Sequence, residues 1–375
     1  MLNVEEFYKL LRKNGINFFT GVPDSLLKDF CAYIDDTSND REHIIAANEG
    51  NAIALATGNY LATGNIGLVY MQNSGFGNSI NPLLSLNDAE VYSIPVLLLI
   101  GWRGEPGVKD EPQHTKQGKI MLSMLENLQI AYKILPDSLD EARIVLDEAF
   151  SYMKSKNVPY ALVVRKDIFE KYEQKNKINN SYELNREDAI KLIVNQLGAQ
   201  DVVVSTTGKI SREIFEYRER LGQDHSRDFL TVGSMGHASQ IALGIALQKY
   251  NRQIYCIDGD GALIMHMGGT AVIGRLKPKN FKHIVINNGA HDSVGGQPTA
   301  GFDIDILAVA KACGYRKLFR AETNKDIKNT MVLLKSVDGP ALLEIRVNKG
   351  SRKDLGRPTT TPIENKNNFM KFLKE

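Results

Sequence analysis

The sequence predicts an α/β fold built twice: two domains of near-equal size, each a mostly parallel sheet flanked by helices. Three observations carry that expectation. Strand-sized apolar runs alternate with helix-length segments along nearly the whole chain, the pattern of βα units whose strands lie parallel. A polar stretch from about Asp167 to Arg186 interrupts the alternation and cannot bury a core of its own. On both sides of it the apolar runs end in turns of Gly, Asn, Asp and Thr, residues that close a strand and open a helix.

The first domain is expected over residues 1–168. Helix 4–13 leads to strand 16–20, and Gly21-Val22-Pro23-Asp24 is a turn opening helix 25–35, with Asp24 as its N-cap. Strand 43–46, a helix from Asn51 to Ala62 and strand 66–71 follow, then a Gly/Asn loop from Asn73 to Asn78. A helix near 80–87 and strand 94–100 precede a long polar loop, Gly101 to Gln117. Helix 118–127, strand 129–133, helix 138–154 and strand 159–164 complete the sheet. Residues 169–186 read as a linker.

The second domain, 187–375, repeats the scheme. Helix 186–197 and strand 201–205 end in Thr206-Thr207-Gly208, and helix 210–221 and strand 228–231 lead to Gly233-Ser234-Met235-Gly236. Helix 237–249, an apolar run at 254–257, one helix-length segment and an apolar run at 283–286 follow. Helix 304–313, strand 315–319, helix 323–336 and strand 340–346 come next, then a basic tail from Val347 to Pro362 and an amphipathic helix at 364–374.

Composition excludes several classes. With 375 residues, 43% hydrophobic and 24% charged, the chain has the make-up of a soluble globular protein. A net charge of +2 argues for neither nucleic acid nor an anionic membrane as partner. The longest apolar run, Ile94 to Ile100, is too short to span a bilayer. Cys31, Cys256 and Cys313 read as buried free thiols, and the N-terminus lacks a signal-peptide core, so a cytoplasmic location is expected.

The strongest chemical signal is Gly259-Asp260-Gly261, followed 27 positions after Asp260 by Asn287-Asn288. Parallel strands emerge on one edge of a sheet, so the carboxylate and the amides are expected side by side. With nearby carbonyls they form a hard oxygen set suited to Mg2+ or Ca2+, and the glycines with the following helix suit a phosphate. The competing reading is a βα turn using Gly and Asp for geometry alone. Glu49, between small residues at a strand-to-helix junction, is either a helix-start acid or a buried functional acid. Thr206-Thr207-Gly208 and the glycines around Met235 are either caps and core filler or a phosphate cradle. The loop holding Trp102, Arg103, Lys109 and His114 has the length of functional loops, and His114 is its acid–base candidate. Arg346, Lys349, Arg352, Lys353 and Arg357 form either a solvated basic tail or a clamp for a doubly anionic substrate.

Together, the AxNEGNA motif at Glu49, Gly233-Ser-Met-Gly236 and GDG…NN resemble the thiamin-diphosphate-dependent decarboxylases. The resemblance covers both halves and implies a pyrimidine-binding and a diphosphate-binding domain. It implies that Glu49, Thr207, Gly208, Ser234, Met235, Gly259, Asp260, Gly261, Ala262 and Asn288 hold thiamin diphosphate. Mg2+ would be held by Asp260, Asn288 and the carbonyl of Ala290, with Asn287 and Gly289 as the one-residue alternative. Glu49 would activate the cofactor, and Met235 would prop it in its bent form. Asp24, His114 and His291 are the candidates for proton handling.

Larger relatives carry a central third domain, replaced here by the linker. The acid usual a few residues past the NN pair is absent, the chain reading His291-Asp292-Ser293-Val294. GWRGEPGVKDEPQH, NNGAHDSVGGQP and GSRKDLGRPTTTP are similar to the compact branch that decarboxylates 3-phosphonopyruvate, whose neighbour acts on sulfopyruvate. That similarity implies a small anionic 2-oxoacid substrate, with Arg352, Lys353 and Arg357 at its phosphonate. It also implies a homo-oligomer, at least a dimer, with active sites between subunits. Two other readings are weaker: a nicotinamide oxidoreductase lacks its GxGxxG turn, and a non-catalytic cofactor-binding regulator has no need of Glu49.

Overall fold

The computed structural model describes residues 1–176 and 181–375, which form two compact units dividing between residues 177 and 178. Residues 177–180, within the expected linker, lie outside the described residues. The first unit runs α1 (Val4–Lys13), β1 (Phe19–Gly21), α2 (Lys28–Thr37), β2 (His43–Ile45), α3 (Glu49–Thr63), β3 (Gly67–Gln72) and α4 (Phe76–Pro82). After a π-helical turn at Leu83–Asn87 come β4 (Val96–Gly101), α5 (Pro112–Asn127), β5 (Ala131–Ile134), α6 (Leu139–Lys156) and β6 (Tyr160–Val164).

The second unit runs α7 (Arg186–Val194), β7 (Val202–Ser205), α8 (Lys209–Arg220), β8 (Asp228–Leu230), α9 (Ala238–Gln248), β9 (Ile254–Gly259), α10 (Asp260–Met265) and α11 (Gly269–Leu276). It ends with β10 (Phe281–Asn287), α12 (Ile306–Ala312), β11 (Lys317–Ala321), α13 (Asn324–Ser336), β12 (Ala341–Arg346) and α14 (Pro362–Phe372).

Each unit holds a six-stranded sheet whose strand pairings, among the described residues, are all parallel, ordered β2-β1-β3-β4-β6-β5 and β11-β12-β10-β9-β7-β8. Renumbering β7 as the first strand of its unit makes the two orders identical, 2-1-3-4-6-5. In this topology the connections step to opposite sides of the first strand, to the second strand on one side and to the third on the other, so each unit has a crevice between its first and third strands. Open α/β sheets bind ligands there.

The strands read as unbroken apolar runs because both sheet faces are covered. Alternate residues feed separate cores. Leu68, Tyr70, Leu97, Leu99, Leu162 and Val164 pack on one face, and Val69, Met71, Leu98, Ile100 and Val163 on the other. In the second unit Val203, Ile257, Ile284 and Leu343 oppose Val204, Cys256, Val285 and Leu342. Truncating one such fully buried Leu to Ala is expected to destabilise its unit by about 2–5 kcal/mol.

Element order follows the expectation, with ends shifted by a few residues and four real differences. The helix-length segment after Gly261 is two short helices, α10 and α11, broken at His266–Gly268. The loop after β4 ends early, because Pro112 starts α5 and places His114 in its first turn. Asp24 caps no helix: α2 begins after Leu27, which makes no side-chain cap. The polar linker is tied down on both sides. Phe169 joins the first core, Tyr172 and Lys175 donate backbone N–H groups to Asp29 and Asp36, and Tyr182 N–H donates to Asn348 Oδ1. A few buried apolar anchors outweigh its polar composition.

Candidate active site

The crevice of the second unit gathers the GDG and NN motifs. Parallel pairing sets Ile286 of β10 beside Gly259 of β9, so Asp260 and Asn287-Asn288 leave the sheet together. Asp260 is 2% exposed, and burial pushes its pKa up to about 6 although the Thr299 hydroxyl and backbone N–H groups donate to it. A carboxylate so placed is short of positive charge, which a bound cation supplies.

The two amides differ. Asn288 donates its backbone N–H to Asp260 Oδ1 at 3.4 Å, its Nδ2 to Asp292 Oδ2 at 2.8 Å, and accepts from Ala290 N–H at 3.1 Å. Asn287 is tied into the sheet: Nδ2 donates to Glu344 Oε1 at 2.9 Å and to the Gly301 carbonyl at 2.6 Å. Glu344, fully buried, also accepts from Arg320 Nε at 2.8 Å and Arg346 Nε at 3.1 Å. A Cβ on Gly301 would lie 2.6 Å from both Asp260 Oδ2 and Asn287 Oδ1, so this segment closes over the motif only with glycine there. Asp260, Asn288 and Ala290, which bridges to Pro298, thus supply oxygen groups that fit Mg2+.

The remaining cradle converges on the same edge. Thr206 is 4% exposed, and its Oγ1 is buried without a hydrogen-bond partner, an orphan that a phosphate oxygen would satisfy. Gly208, at φ +92°, begins α8, and Ser293 Oγ lies 2.6 Å from where its Cβ would be. Thr207 is half-buried. Ser234 is exposed at φ +54°, Met235 is half-buried, and the turn after them packs on Ala262 and His266. Because α10 has only six residues, its dipole adds little, and individual N–H groups are left to meet the anion. The His291 ring packs against Gly261, and burial lowers its pKa to about 4, leaving a neutral imidazole at neutral pH.

In the first unit Glu49 starts α3, as a helix-start acid does, yet it is 5% exposed. Asn78 Nδ2 donates to its Oε2 at 2.8 Å, and Gly75 lies directly against its Oε1. Gly75→Ala, whose Cβ would overlap that carboxylate, is expected to cut kcat by on the order of 100-fold with little change in KM or circular dichroism. Unchanged kcat would mean that the carboxylate position is unimportant.

Asp24 is fully buried and its pKa is raised by that burial, with Gln72 Nε2 and Leu26 N–H donating to it. Arg103 donates to Ser25 Oγ and Asp110, and its carbonyl accepts from Asn73 Nδ2. His114 is 8% exposed, its Nδ1 has no partner, and burial and then Arg103 lower its pKa to about 4. Asp24, Gln72, Asn73 and Arg103 thus belong to strand ends and loops at the crevice of this unit, and His114 to the first turn of α5.

The His114 shift has a testable sign. Its folded pKa lies below the ordinary 6.5, so its contribution to stability is present above pH 6.5 and fades as pH falls toward about 4. His114→Gln should lose roughly 2 kcal/mol less than wild type between pH 7 and pH 5 in denaturant titrations. Equal losses would refute the buried neutral imidazole.

Several of these groups escaped sequence reasoning. Asn78 and Asn73 stood in a Gly/Asn loop read only as a turn, and Gln72 looks like an ordinary strand end. Arg103 was visible only as one of the charged residues of a long loop, beside Lys109 and His114. The basic tail is also more committed than expected. Arg352 pairs with Glu187 at 3.0 Å, with Asp354 at 3.2 Å and with Glu216, so it fastens the tail to α7 and α8. Lys353 and Arg357 are exposed.

Residues 3–125 match the thiamine pyrophosphate enzyme N-terminal TPP binding domain, and residues 206–345 match the C-terminal TPP binding domain. The chain is similar to the phosphonopyruvate decarboxylase of Streptomyces viridochromogenes, with 32% identity covering 96% of this chain and 92% of that one. It is also similar to that of Streptomyces hygroscopicus, with 32% identity covering 100% and 95%. Similarity to the sulfopyruvate decarboxylase of Methanosarcina acetivorans is lower, 26% identity covering 86% and 85%.

Proposed function

This chain belongs to the thiamine pyrophosphate enzymes, and from that premise we propose that it decarboxylates 3-phosphonopyruvate to phosphonoacetaldehyde and CO2 with thiamin diphosphate and Mg2+. The carrying observation is the near full-length similarity to two phosphonopyruvate decarboxylases, at 32% against 26% for the sulfopyruvate enzyme. It is a carboxy-lyase of phosphonate biosynthesis. The family assignment leaves no place for the nicotinamide oxidoreductase.

Thiamin diphosphate, when bound, supplies the electron sink that accepts the pair left behind by departing CO2. Asp260, Asn288 and Ala290 would hold Mg2+, and Thr206, Thr207 and Gly208, with the turn around Ser234 and Met235, would receive the diphosphate. Glu49, its Oε2 accepting from Asn78 Nδ2, would be the group that takes and returns a proton at the bound cofactor's aminopyrimidine. Asp24 and the neutral His114 handle the proton delivered to the product carbon, and burial around them excludes competing water. His291 packs against the GDG turn, where a carboxylate would repel a dianionic substrate. Lys353 and Arg357 meet the phosphonate once the tail is pinned by Arg352.

Glu49 and Asp260 lie in different compact units. The assembly proposed with this activity is a homo-oligomer, at least a dimer, with active sites between subunits. Cys31, Cys256 and Cys313 are free, which supports a reducing, cytoplasmic setting.

The test is CO2 release from phosphonopyruvate and from sulfopyruvate, with cofactor and Mg2+ omitted in turn. Turnover needing both, with kcat/KM favouring the phosphonate, is expected. Preference for the sulfonate would transfer the assignment to the neighbouring activity.

A further inference from the structure

One oxygen of Asp292 joins the metal ligand to the C-terminal tail. Its Oδ2 accepts from Asn288 Nδ2 at 2.8 Å, from Arg186 Nη1 at 2.7 Å and from Gly350 N–H at 2.9 Å. We propose that Asp292 is a positioning residue that fixes the Asn288 amide for the cation and couples it to the ordering of the strap at residues 347–356. The inference rests on the metal reading above.

An amide can flip by exchanging its oxygen and nitrogen, and only one orientation offers oxygen to a cation. At Asn288 the carboxylate takes the NH2 group and the Ala290 N–H meets Oδ1, so both ends select the same orientation. Asp292 is itself anchored: its side chain is 9% exposed, and Arg186 is gripped by Glu213 through Nε at 2.9 Å and Nη2 at 2.8 Å. Paired charges at this depth hold each other in place, because releasing one strands the other.

The strap reaches the same oxygen. It leaves β12 with Val347 N–H on the Asn287 carbonyl at 3.0 Å, and Lys349 Nζ donates to the Gly296 carbonyl at 3.1 Å. Gly350 then binds Asp292, Arg352 binds Glu187, and Gly356 N–H donates to Glu216. Lys353 lies between the last of these attachments. A strap that lifts removes one donor from the oxygen that orients Asn288. A cation on Asn288 favours the Asp292 position that receives Gly350. Such coupling is reciprocal by thermodynamic necessity.

The probe is Mn2+ bound to the full chain with thiamin diphosphate, its free fraction read by electron paramagnetic resonance. Trypsin cleavage after Arg352 or Lys353 reports the strap. Asp292→Ala is expected to weaken Mn2+ by about tenfold, the scale of losses for outer-shell partners of metal ligands. Asp292→Asn, which can keep one acceptor oxygen, should recover most of the affinity. Mn2+ with cofactor should slow strap cleavage severalfold in wild type and leave it unchanged in Asp292→Ala.

Gly350 stands at φ +116° with open space around it, so Gly350→Ala strains the strap without touching a ligand. It should still weaken Mn2+ severalfold, and it serves as the readout if Asp292→Ala fails to fold. Wild-type Mn2+ affinity in both Asp292→Ala and Gly350→Ala, or equal metal protection of the strap in Asp292→Ala, overturns the proposal. A wild-type chain that binds no Mn2+ would sink the metal reading itself and this inference with it.

Discussion

Glu49→Gln is expected to lower kcat by on the order of 1,000-fold while leaving Mg2+ and cofactor binding within about threefold of wild type. The amide keeps the volume and the contact with Asn78 at the start of α3, so the fold has no reason to change. What it loses is the ability to take and return a proton. Isothermal calorimetry separates binding from turnover, and circular dichroism checks the fold. A variant that turns over at the wild-type rate would remove Glu49 from the chemistry altogether.

Asp260→Asn should fail in the opposite way: at least about 100-fold weaker Mg2+ and, through it, weaker cofactor retention. The same substitution should make the metal-free protein more stable. Burial raises the Asp260 pKa from 3.8 to about 6, so at pH 7 the folded chain carries a carboxylate that it would rather protonate. The sign follows from linkage: relative stability is greatest below the unfolded pKa and is lost as pH rises through the folded value. Removing that charge should add about 2–3 kcal/mol at pH 7 in excess chelator. With Mg2+ and cofactor present, the order should reverse, because only the carboxylate repays its burial by binding. A metal-free Asp260→Asn variant less stable than wild type at pH 7 would refute this account.

Much of the fold was legible because its signals are local. Unbroken apolar runs such as Val96–Gly101 report strands covered on both faces, and the intervening segments report helices long enough to cover them. Pro112 and the broken segment after Met265 were misjudged for a local reason too. A proline at a first helical position and a helix-breaking His-Met-Gly stretch matter only relative to an axis that the sequence does not display. Tethering of the linker was not legible because composition averages over residues, while Phe169 and Leu184 anchor its ends individually.

By itself the sequence determined two parallel α/β units, the pairing of Asp260 with Asn287-Asn288 and the place of Glu49 at a strand-to-helix junction. Each depends on order along the chain: strand ends on one edge, fixed spacing, a helix start. Only the tertiary structure decided which groups support them. Asn78 and Gly75 hold Glu49, Gln72 reaches Asp24, Glu344 claims Asn287, and Asp292 claims Asn288 together with Gly350. These partners lie up to dozens of positions apart and meet by side-chain reach across strand ends. Chain periodicity encodes which face a residue takes, but not which distant hydrogen-bond donor will find it there.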